Sequence, residues 1–423
     1  MIRRPLALAL ALGASLTSAS FTAARGDGFV WSLPPGFPTP RVPAANPMSA
    51  EKVALGRYLF YDTRLSGNGR QSCATCHQQS RAFTDGKPRA IGSTGERHPR
   101  GSMSLANVAY SSALTWANPA MTQLEEQALV PMLGDHPVEM GLTSPGELTA
   151  RLTAVPEYQR LFGAANGGGS EAITIDHITR AIAAFERTII SGRSPYDRYH
   201  VDRDDSAVSD AARRGERLFF SEPLSCFRCH GGFTFSSAPD FEGRAEHTPE
   251  FHNTGLYNLA GMISYPSMNA GVYDVTKKPE DIGKFKAPTL RNIAVTAPYM
   301  HDGSIATLDG VLDHYAAGGR TIADGPYRGV GHDNPNKSAL VSGFTLTADQ
   351  LSDLIAFLKT LTDDGLLNDP ALSNPWTANP ARAAASGRPE SSYPHGTAAW
   401  SPASAACRPG SCRMPASPSS GSR

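Results

Sequence analysis

Apolar residues recur at helical spacing in separate stretches of this chain. A helix over 176–190 is predicted by residues three or four positions apart: Ile178, Ile182, Phe185 and Ile189. A second helix is predicted after Thr347 by a longer stripe of Leu351, Leu354, Ile355, Leu358 and Leu361. Thr347 and Gln350 have the spacing of a capping box at its start.

Two further helices have recognisable first turns. The sequence SPGE at 144–147 combines a capping box with proline at the first helical position, which predicts a helix to about Leu152. Thr307 can cap a helix that ends at Gly318-Gly319 and has an apolar face of Leu308, Val311, Leu312 and Tyr315. Strand patterns are few, and glycine and proline are frequent. The fold class is therefore predicted to be mostly α and rich in loops.

Four of the six cysteines form two copies of one motif, C-x-x-C-H, at 73–77 and 226–230. This motif attaches c-type haem: the thiols bind the porphyrin covalently and the histidine binds iron. Zinc ribbons also use two C-x-x-C pairs, normally about 15 to 20 residues apart, but here 150 residues separate Cys76 from Cys226. Three disulfides are the other alternative for an exported chain. The repeated motif favours two covalent haems, while Cys407 and Cys412 either pair with each other or have no role.

Similar segments precede the two motifs: GRYLFYD at 56–62 and GERLFFS at 215–221. This weak internal repeat predicts two related haem domains. The predicted organisation is a signal peptide (1–24), an extended segment (25–47), a first haem domain (48–190), a polar linker (191–206), a second haem domain (207–375) and a low-complexity tail (376–423).

The first residues have the features of a secretory signal peptide. A basic start with Arg3 and Arg4 is followed by an apolar run over 6–16 and then by small residues. The chain should therefore be exported, to a periplasm, without a membrane span. The 39 basic and 39 acidic residues balance, which gives no support for a nucleic-acid partner.

With both motifs in place, residues 45 to 375 resemble the bacterial di-haem cytochrome c peroxidase/MauG family. The segment KAPTLRNIAVTAPYMHDGSIATLDGVLDHYAAGG at 286–319 resembles that family's signature. Three other segments, GSMSLANVAYSSALTWANP, EEQALVPMLGDHPVEMG and FHNTGLYNL, are similar to the MbnH-like (methanobactin-associated, MauG-like) branch, which is associated with copper-binding partner proteins. The resemblance implies two cytochrome c-like helical domains with a calcium ion between the haems.

For the first haem, the resemblance implies attachment by Cys73 and Cys76 and proximal ligation by His77. It places a group of distal residues over the peroxide site: Gln127, Pro131 and Glu139. Glu139 would be the acid/base that moves protons between the peroxide oxygens. In some relatives a loop histidine blocks this haem. His98 lies in the corresponding stretch, and an exposed loop histidine is the favoured interpretation.

For the second haem, the resemblance implies attachment by Cys226 and Cys229 and ligation by His230. Peroxidases of this family place a methionine on the other side of the iron, and MauG-like enzymes a tyrosine; the matching residue here is Tyr315. From spacing alone, the favoured interpretation of Tyr315 is a core aromatic on the face of Leu308 and Val311.

The resemblance also implies a residue between the haems and a calcium site. Trp116 matches the tryptophan between the haems, where an indole can relay electrons or simply pack. Thr296 and Pro298 match calcium positions, and the family's asparagine ligand falls near Gly101, which has no side chain. Leu224 replaces the surface tryptophan of MauG, and Trp376 is interpreted as a packing residue.

Three functions follow as hypotheses. The leading one is a periplasmic di-haem oxidoreductase that reacts with hydrogen peroxide at the first haem. It would hold the oxidising equivalents over both haems as a bis-ferryl state and oxidise a tryptophan of a copper-binding protein. The second is a cytochrome c peroxidase that removes peroxide with electrons from a small cytochrome or cupredoxin, with Met300 or Met262 as a sulfur ligand. The third is an electron-transfer di-haem cytochrome.

Overall fold

The computed structural model describes residues 29–168, 170–245, 248–261 and 263–377. The predicted signal peptide, Met262, Cys407 and Cys412 lie outside these residues. Fourteen helices are present in the described ranges: α1 Ala50–Phe60, α2 Cys73–Cys76, α3 Leu124–Gln127, α4 Leu129–Leu133, α5 Pro145–Thr153, α6 Pro156–Asn166, α7 Ile175–Glu186, α8 Pro195–His200, α9 Asp210–Phe219, α10 Cys226–Cys229, α11 Tyr273–Thr276, α12 Leu308–Ala316, α13 Ala348–Lys359 and α14 Asp364–Asn368.

Strands are confined to two short antiparallel pairs within the described residues. The first pairs β1 (Phe251–His252) with β2 (Phe285–Lys286), and the second pairs β3 (Thr321–Ile322) with β4 (Gly329–Val330). The mostly α prediction is confirmed. No helix among the described residues combines the length and apolar character needed to cross a bilayer.

The predicted helix starts agree with the structure because each is set by a local side-chain cap. Ser144, Thr307 and Thr347 accept hydrogen bonds from the first turns of α5, α12 and α13. The helix predicted over 176–190 ends earlier, at Glu186. The chain turns there because the Ile189 carbonyl accepts a hydrogen bond from the amide of Asn107.

The internal repeat is visible as two equivalent helix pairs. α1 packs on α7 in the first domain, and α9 packs on α13 in the second. Gly56 and Gly215 hold the same place in the two repeats, and a Cβ at either would lie 1.8 or 1.9 Å from a carbonyl oxygen of the facing helix. Each haem motif follows the helix that contains this close crossing, so the crossing sets where the motif begins.

Three of the five apolar clusters among the described residues bear on the two motifs and Trp116. One joins α1, α5, α6 and α7, a second joins α9, α12 and α13, and a third surrounds Trp116 and Tyr257. Trp376 is buried in the first cluster and its indole donates to the Tyr58 carbonyl at 3.1 Å. It packs as predicted, so the first residue of the predicted tail contacts the cluster of α1, α5, α6 and α7.

The segment 191–206, predicted as a polar linker, has buried residues in its first half. It contains α8, and the carboxylate of Asp197 forms two hydrogen bonds of 2.8 and 2.9 Å with the buried Arg291 guanidinium. Ser191 is buried and exchanges two hydrogen bonds with the side chain of Asn107. The polar composition of this stretch therefore serves a buried hydrogen-bond network.

Candidate functional site

The first motif folds as a single helical turn, α2, that follows directly from a capped start. Ser72 donates its amide to Thr75 Oγ1 at 2.9 Å, which fixes the turn between the two thiols. Burial raises the pKa of the Cys76 thiol to about 11, and burial also raises that of Cys73. Both are free thiols, which is the form that adds to haem.

His77 is oriented for a metal on one nitrogen only. Its Nδ1 lies 2.9 Å from the Phe83 carbonyl oxygen, so Nδ1 carries the proton and Nε2 is left as a ligand. Burial lowers the pKa of His77, which keeps the ring neutral. Ala82 and Phe83 have left-handed backbone conformations that turn this carbonyl towards the ring.

The second motif repeats this arrangement. His230 Nδ1 lies 3.1 Å from the Pro288 carbonyl and 3.4 Å from that of Phe235, which again leaves Nε2 as the ligand. Burial lowers the pKa of His230 to about 4. Cys226, Cys229 and His230 line one large cavity. Paired thiols, a neutral histidine with a fixed tautomer and a mainly apolar wall fit a covalently bound haem.

Tyr315 lies in this same cavity. Helix α12 presents one face to it, formed by residues at helical spacing: Leu308, Val311, Leu312 and Tyr315. Burial raises the pKa of Tyr315, and the nearby thiols of Cys229 and Cys226 add to the shift. The apolar face of α12 is also the wall of the cavity. Tyr315 can therefore pack with Leu308 and Val311 and still face the haem site, so the two interpretations are compatible. Met300 also lines the cavity.

Glu139 lies near the first motif, where burial raises the pKa of both the Cys73 and the Cys76 thiol and the charge of Glu139 adds to both shifts. Two backbone hydrogen bonds hold its segment: Ser93 donates to the Glu139 carbonyl, and Met140 donates to the Pro131 carbonyl at 2.8 Å. Burial raises the pKa of Glu139. The second bond ties the loop of Glu139 to the helix that bears Pro131.

Gln127 ends α3, and Pro131 lies four residues further on, in α4. Glu125 anchors α3 by accepting two hydrogen bonds, 2.8 and 2.9 Å, from the guanidinium of Arg187, the residue that directly follows α7. Gln127 is half-buried. The three predicted distal residues therefore belong to two segments that the structure joins.

His98 differs from the expected exposed loop histidine. It is half-buried, and its Nε2 lies 3.9 Å from Glu139 Oε1. The reason is a local turn in which the Arg100 amide donates to His98 Nδ1 at 3.0 Å and directs the other nitrogen towards Glu139. Burial lowers the pKa of His98, so the ring is a neutral neighbour of that carboxyl group.

Trp116 lines the cavity of the second motif, and its indole nitrogen donates to the Gly101 carbonyl at 2.9 Å. The Trp116 carbonyl accepts from the amide of Lys286 at 2.9 Å. Lys286 is buried on the same wall, and burial lowers its pKa to about 8. Sequence patterns did not single out this lysine, because its burial depends on β2 packing beside Trp116.

The calcium residues also meet at this cavity, which Gly101, Thr296 and Pro298 all line. In the described ranges no group of three or more His, Cys, Asp or Glu side chains could hold a metal ion. The fit to calcium thus depends on backbone carbonyls, and that of Gly101 already accepts the Trp116 indole. Calcium at these three residues stays a prediction.

Two C-x-x-C-H motifs, each with buried paired thiols and a neutral histidine, fit a di-haem c-type protein. A family model described as di-haem cytochrome c peroxidase matches residues 50–206. Cytochrome-c peroxidase IdrP1 of Denitromonas iodatirespirans is 36% identical over 389 residues, covering 87% of this chain and 96% of that protein. Methylamine utilization protein MauG of Methylorubrum extorquens is 37% identical, with 75% and 80% covered.

This chain belongs to the di-haem cytochrome c peroxidase/MauG family and is a peroxidase-like oxidoreductase. Among solved structures, a MauG-like protein described as associated with microbial copper homeostasis is 48% identical, with a TM-score of 0.80. It is matched over 82% of this chain and 100% of its own. The family that the motifs predicted is therefore confirmed, and it implies two c-type haems.

Proposed function

We propose that this protein is a periplasmic di-haem enzyme that uses hydrogen peroxide to oxidise a tryptophan of an exported copper-binding protein. The observation that carries the proposal is Tyr315 on the cavity wall that also holds Cys226, Cys229 and His230. The 48% identical neighbour associated with copper homeostasis supports the choice of partner. We place the peroxide reaction at His77's haem because Glu139 lies beside that motif.

Bound haem would supply the iron that reacts with peroxide and would retain the oxidising equivalents. The proton chemistry belongs to the protein. The Glu139 carboxylate takes a proton from the incoming peroxide oxygen and returns it to the leaving oxygen. Gln127 positions the peroxide, and Pro131 limits the space beside it. His98 is neutral and accepts the Arg100 amide on Nδ1, so its Nε2, 3.9 Å from Glu139 Oε1, bears the proton and can donate a hydrogen bond without adding a charge.

Tyr315 would bind the second iron through its phenolate oxygen. Because burial raises the pKa of this phenol, the proton leaves only when the iron replaces it. An anionic oxygen ligand favours the higher charge states of the metal and lowers its potential. Tyr315 would thus favour retention of the oxidising equivalents for a protein substrate, and Trp116, on the same cavity wall, would relay electrons.

The direct test mixes the purified holoenzyme with hydrogen peroxide and the exported copper-binding protein. The proposal predicts that oxygen is added to a tryptophan of the partner, as shown by peptide mass spectrometry. A partner variant with that tryptophan changed to phenylalanine is the control. An unmodified partner, together with rapid oxidation of a reduced small cytochrome, would contradict the proposal.

That contrary result would support the second candidate, a cytochrome c peroxidase that removes peroxide. One observation favours it: Met300 lines the same cavity as His230 and offers a thioether. A Met300→Leu variant separates the candidates. A sulfur ligand would be lost from the second haem's resting spectrum in the variant, whereas ligation by Tyr315 leaves that spectrum unchanged.

A further inference from the structure

Oxidation of a protein partner requires electron transfer from the protein surface to the haem site. The residue two positions before the second motif cannot provide this route. That residue, Leu224, lines the cavity, but its aliphatic side chain cannot be oxidised by one electron. The third apolar cluster, on which Trp116 packs, instead contains Tyr257 and Tyr265. Tyr265 lines the cavity of the second motif, as do Trp116 and Phe285, whereas Tyr257 is not among the lining residues. Tyr265 is therefore the member of this tyrosine pair that reaches the cavity.

The tyrosines continue outwards as a ladder of ring contacts. Tyr265 and Tyr257 have centroids 5.6 Å apart, and Tyr257 and Tyr327 are again 5.6 Å apart. Tyr265 and Tyr257 are almost fully buried, whereas Tyr327 is 45% exposed. Three rings therefore connect the cavity wall to the protein surface, with edge-to-face spacing at both steps.

The two buried tyrosines, Tyr265 on the cavity wall and Tyr257 next to it, differ in the group that accepts the phenol hydrogen bond. The Tyr257 hydroxyl donates to Asp302 Oδ2 at 2.6 Å, while the Tyr265 hydroxyl donates to the amide oxygen of Asn253 at 2.8 Å. Burial alone would raise the pKa of Asp302, but neighbouring His301 and hydrogen bonds from Tyr257 and Ser304 outweigh it and hold that pKa low. Asp302 is therefore ionised and able to take the phenol proton of Tyr257.

From this geometry we infer that Tyr265, Tyr257 and Tyr327 form an electron-transfer ladder, through which an oxidisable donor at the surface supplies electrons to the site. Hydrogen peroxide is the oxidant, and its reduction to two waters takes up two electrons and two protons. For each electron, Tyr257 passes one electron inwards through Tyr265 to the site and its phenol proton to Asp302, and so becomes a neutral radical. An electron from Tyr327 and the proton held by Asp302 then restore Tyr257, while the exposed phenol of Tyr327 releases its own proton to solvent. The donor returns one electron to Tyr327, which takes a proton back from solvent. This inference rests on the proposed function and names the exit residue.

Trypsin releases a short peptide, 321–328, in which Tyr327 is the single aromatic residue. The test treats holoenzyme with peroxide and a nitroso radical trap, without a partner, and maps trap adducts by mass spectrometry. We expect an adduct on this peptide, its loss in Tyr327→Phe, and its fall to background in Tyr257→Phe. Tyr273→Phe is the matched control, since Tyr273 packs on the same cluster with the Lys277 ammonium over its ring at 5.7 Å, which opposes oxidation.

Two results would overturn the ladder. One is an unchanged yield of the Tyr327 adduct in Tyr257→Phe, and the other is the formation of adducts at other residues with none at Tyr327. Phenylalanine keeps the ring volume, and unchanged haem absorption in each variant shows that the site is intact. Partner oxidation is measured in parallel. Trap adducts at Tyr327 beside an unmodified partner would reject the proposed substrate but not the ladder. Partner oxidation at the wild-type rate in Tyr257→Phe would reject the ladder alone.

Discussion

Burial controls the protonation of the side chains at both haem motifs. It lowers the pKa of His77 and His230, so both rings are neutral ligands at neutral pH. It raises the pKa of Glu139, so that carboxyl group exchanges its proton at a higher pH than an exposed glutamate. Burial thus has two useful effects here: it keeps the two histidines neutral, and it moves the pKa of Glu139 upwards.

Replacing the acid/base should abolish most peroxide reactivity. Glu139→Gln keeps the shape but removes proton transfer, so the rate of reaction with peroxide should fall about 10²–10⁴-fold. Stopped-flow absorption of the holoenzyme measures this rate. Glu126→Gln, on the exposed side of α3, is the control and should react at the wild-type rate. A Glu139→Gln enzyme as fast as the control would exclude the assigned role.

The pH dependence has a defined sign. Glu139 takes a proton only as the carboxylate, so the peroxide rate should rise with pH through the pKa of this group. That midpoint should lie above the ordinary glutamate value of 4.5, because burial raises this pKa. A pH–rate profile of the wild type tests this. A midpoint at or below the ordinary value, or the same profile in Glu139→Gln, would be inconsistent with it.

At the scale of elements, each haem motif is placed by a helix that crosses another at a glycine. The facing carbonyls of Ala181 and Asp353 would lie 1.8 and 1.9 Å from a Cβ at Gly56 and Gly215. The repeat of GRYLF and GERLF in the sequence is therefore a repeat of a packing requirement. Glycine in a helix interior is otherwise unfavourable. Its presence at both positions is therefore explained by the close crossing, which leaves no room for a Cβ.

Gly56→Ala should destabilise the first domain because the methyl group forces α1 away from α7. Overpacking of this kind costs about 1–3 kcal/mol, seen as a lower midpoint in denaturant unfolding followed by circular dichroism. Gly146→Ala is the matched control: its Cβ would meet only Ser144 Oγ, at 3.9 Å. The control should be neutral or slightly stabilising. Equal loss in both variants would contradict the close crossing.

The helices that the sequence predicted best are those with local start signals. Ser144, Thr307 and Thr347 cap their helices as expected, because a cap and its acceptor lie within one turn. The contacts between Glu139 and His98, and between Tyr257 and Asp302, could not be predicted. They join residues about 40 positions apart, whose meeting depends on the packing of loops around the cavity.

On the scale of the whole molecule, a buried polar network joins the segment 191–206 to the second domain. Arg291 is almost fully buried, and its guanidinium bonds to both carboxylate oxygens of Asp197. Arg291 lies three residues after Pro288, whose carbonyl orients His230. The network therefore connects the junction between the predicted domains with the placement of an iron ligand.

Breaking this pair should be costly. Asp197→Asn leaves a buried guanidinium charge without its partner, so the free energy of unfolding should fall by about 3–5 kcal/mol. Glu222→Gln, in the exposed pair with Arg228, is the control and should stay within about 1 kcal/mol of wild type. Denaturant unfolding of the holoprotein measures both. A loss no larger than that of the control would refute the structural role.

The same pair predicts how stability depends on pH. Burial alone would raise the pKa of Asp197, but its hydrogen bonds with Arg291 outweigh this and hold the pKa below its ordinary 3.8. Its stabilisation is therefore complete above that ordinary value and is lost as pH falls through the lower folded-state pKa. Asp197→Asn should flatten the acid limb of the stability profile, and an unchanged limb would contradict the assignment.

The central claim concerns one atom, the Tyr315 phenol oxygen, as ligand of the second iron. Electron paramagnetic resonance and resonance Raman spectra of the resting holoenzyme, compared between wild type and Tyr315→Phe, test it most directly. The account predicts a tyrosinate signature in the wild type and its loss in the variant, with the spectrum of the first haem unchanged. Identical spectra for the two proteins would contradict the account.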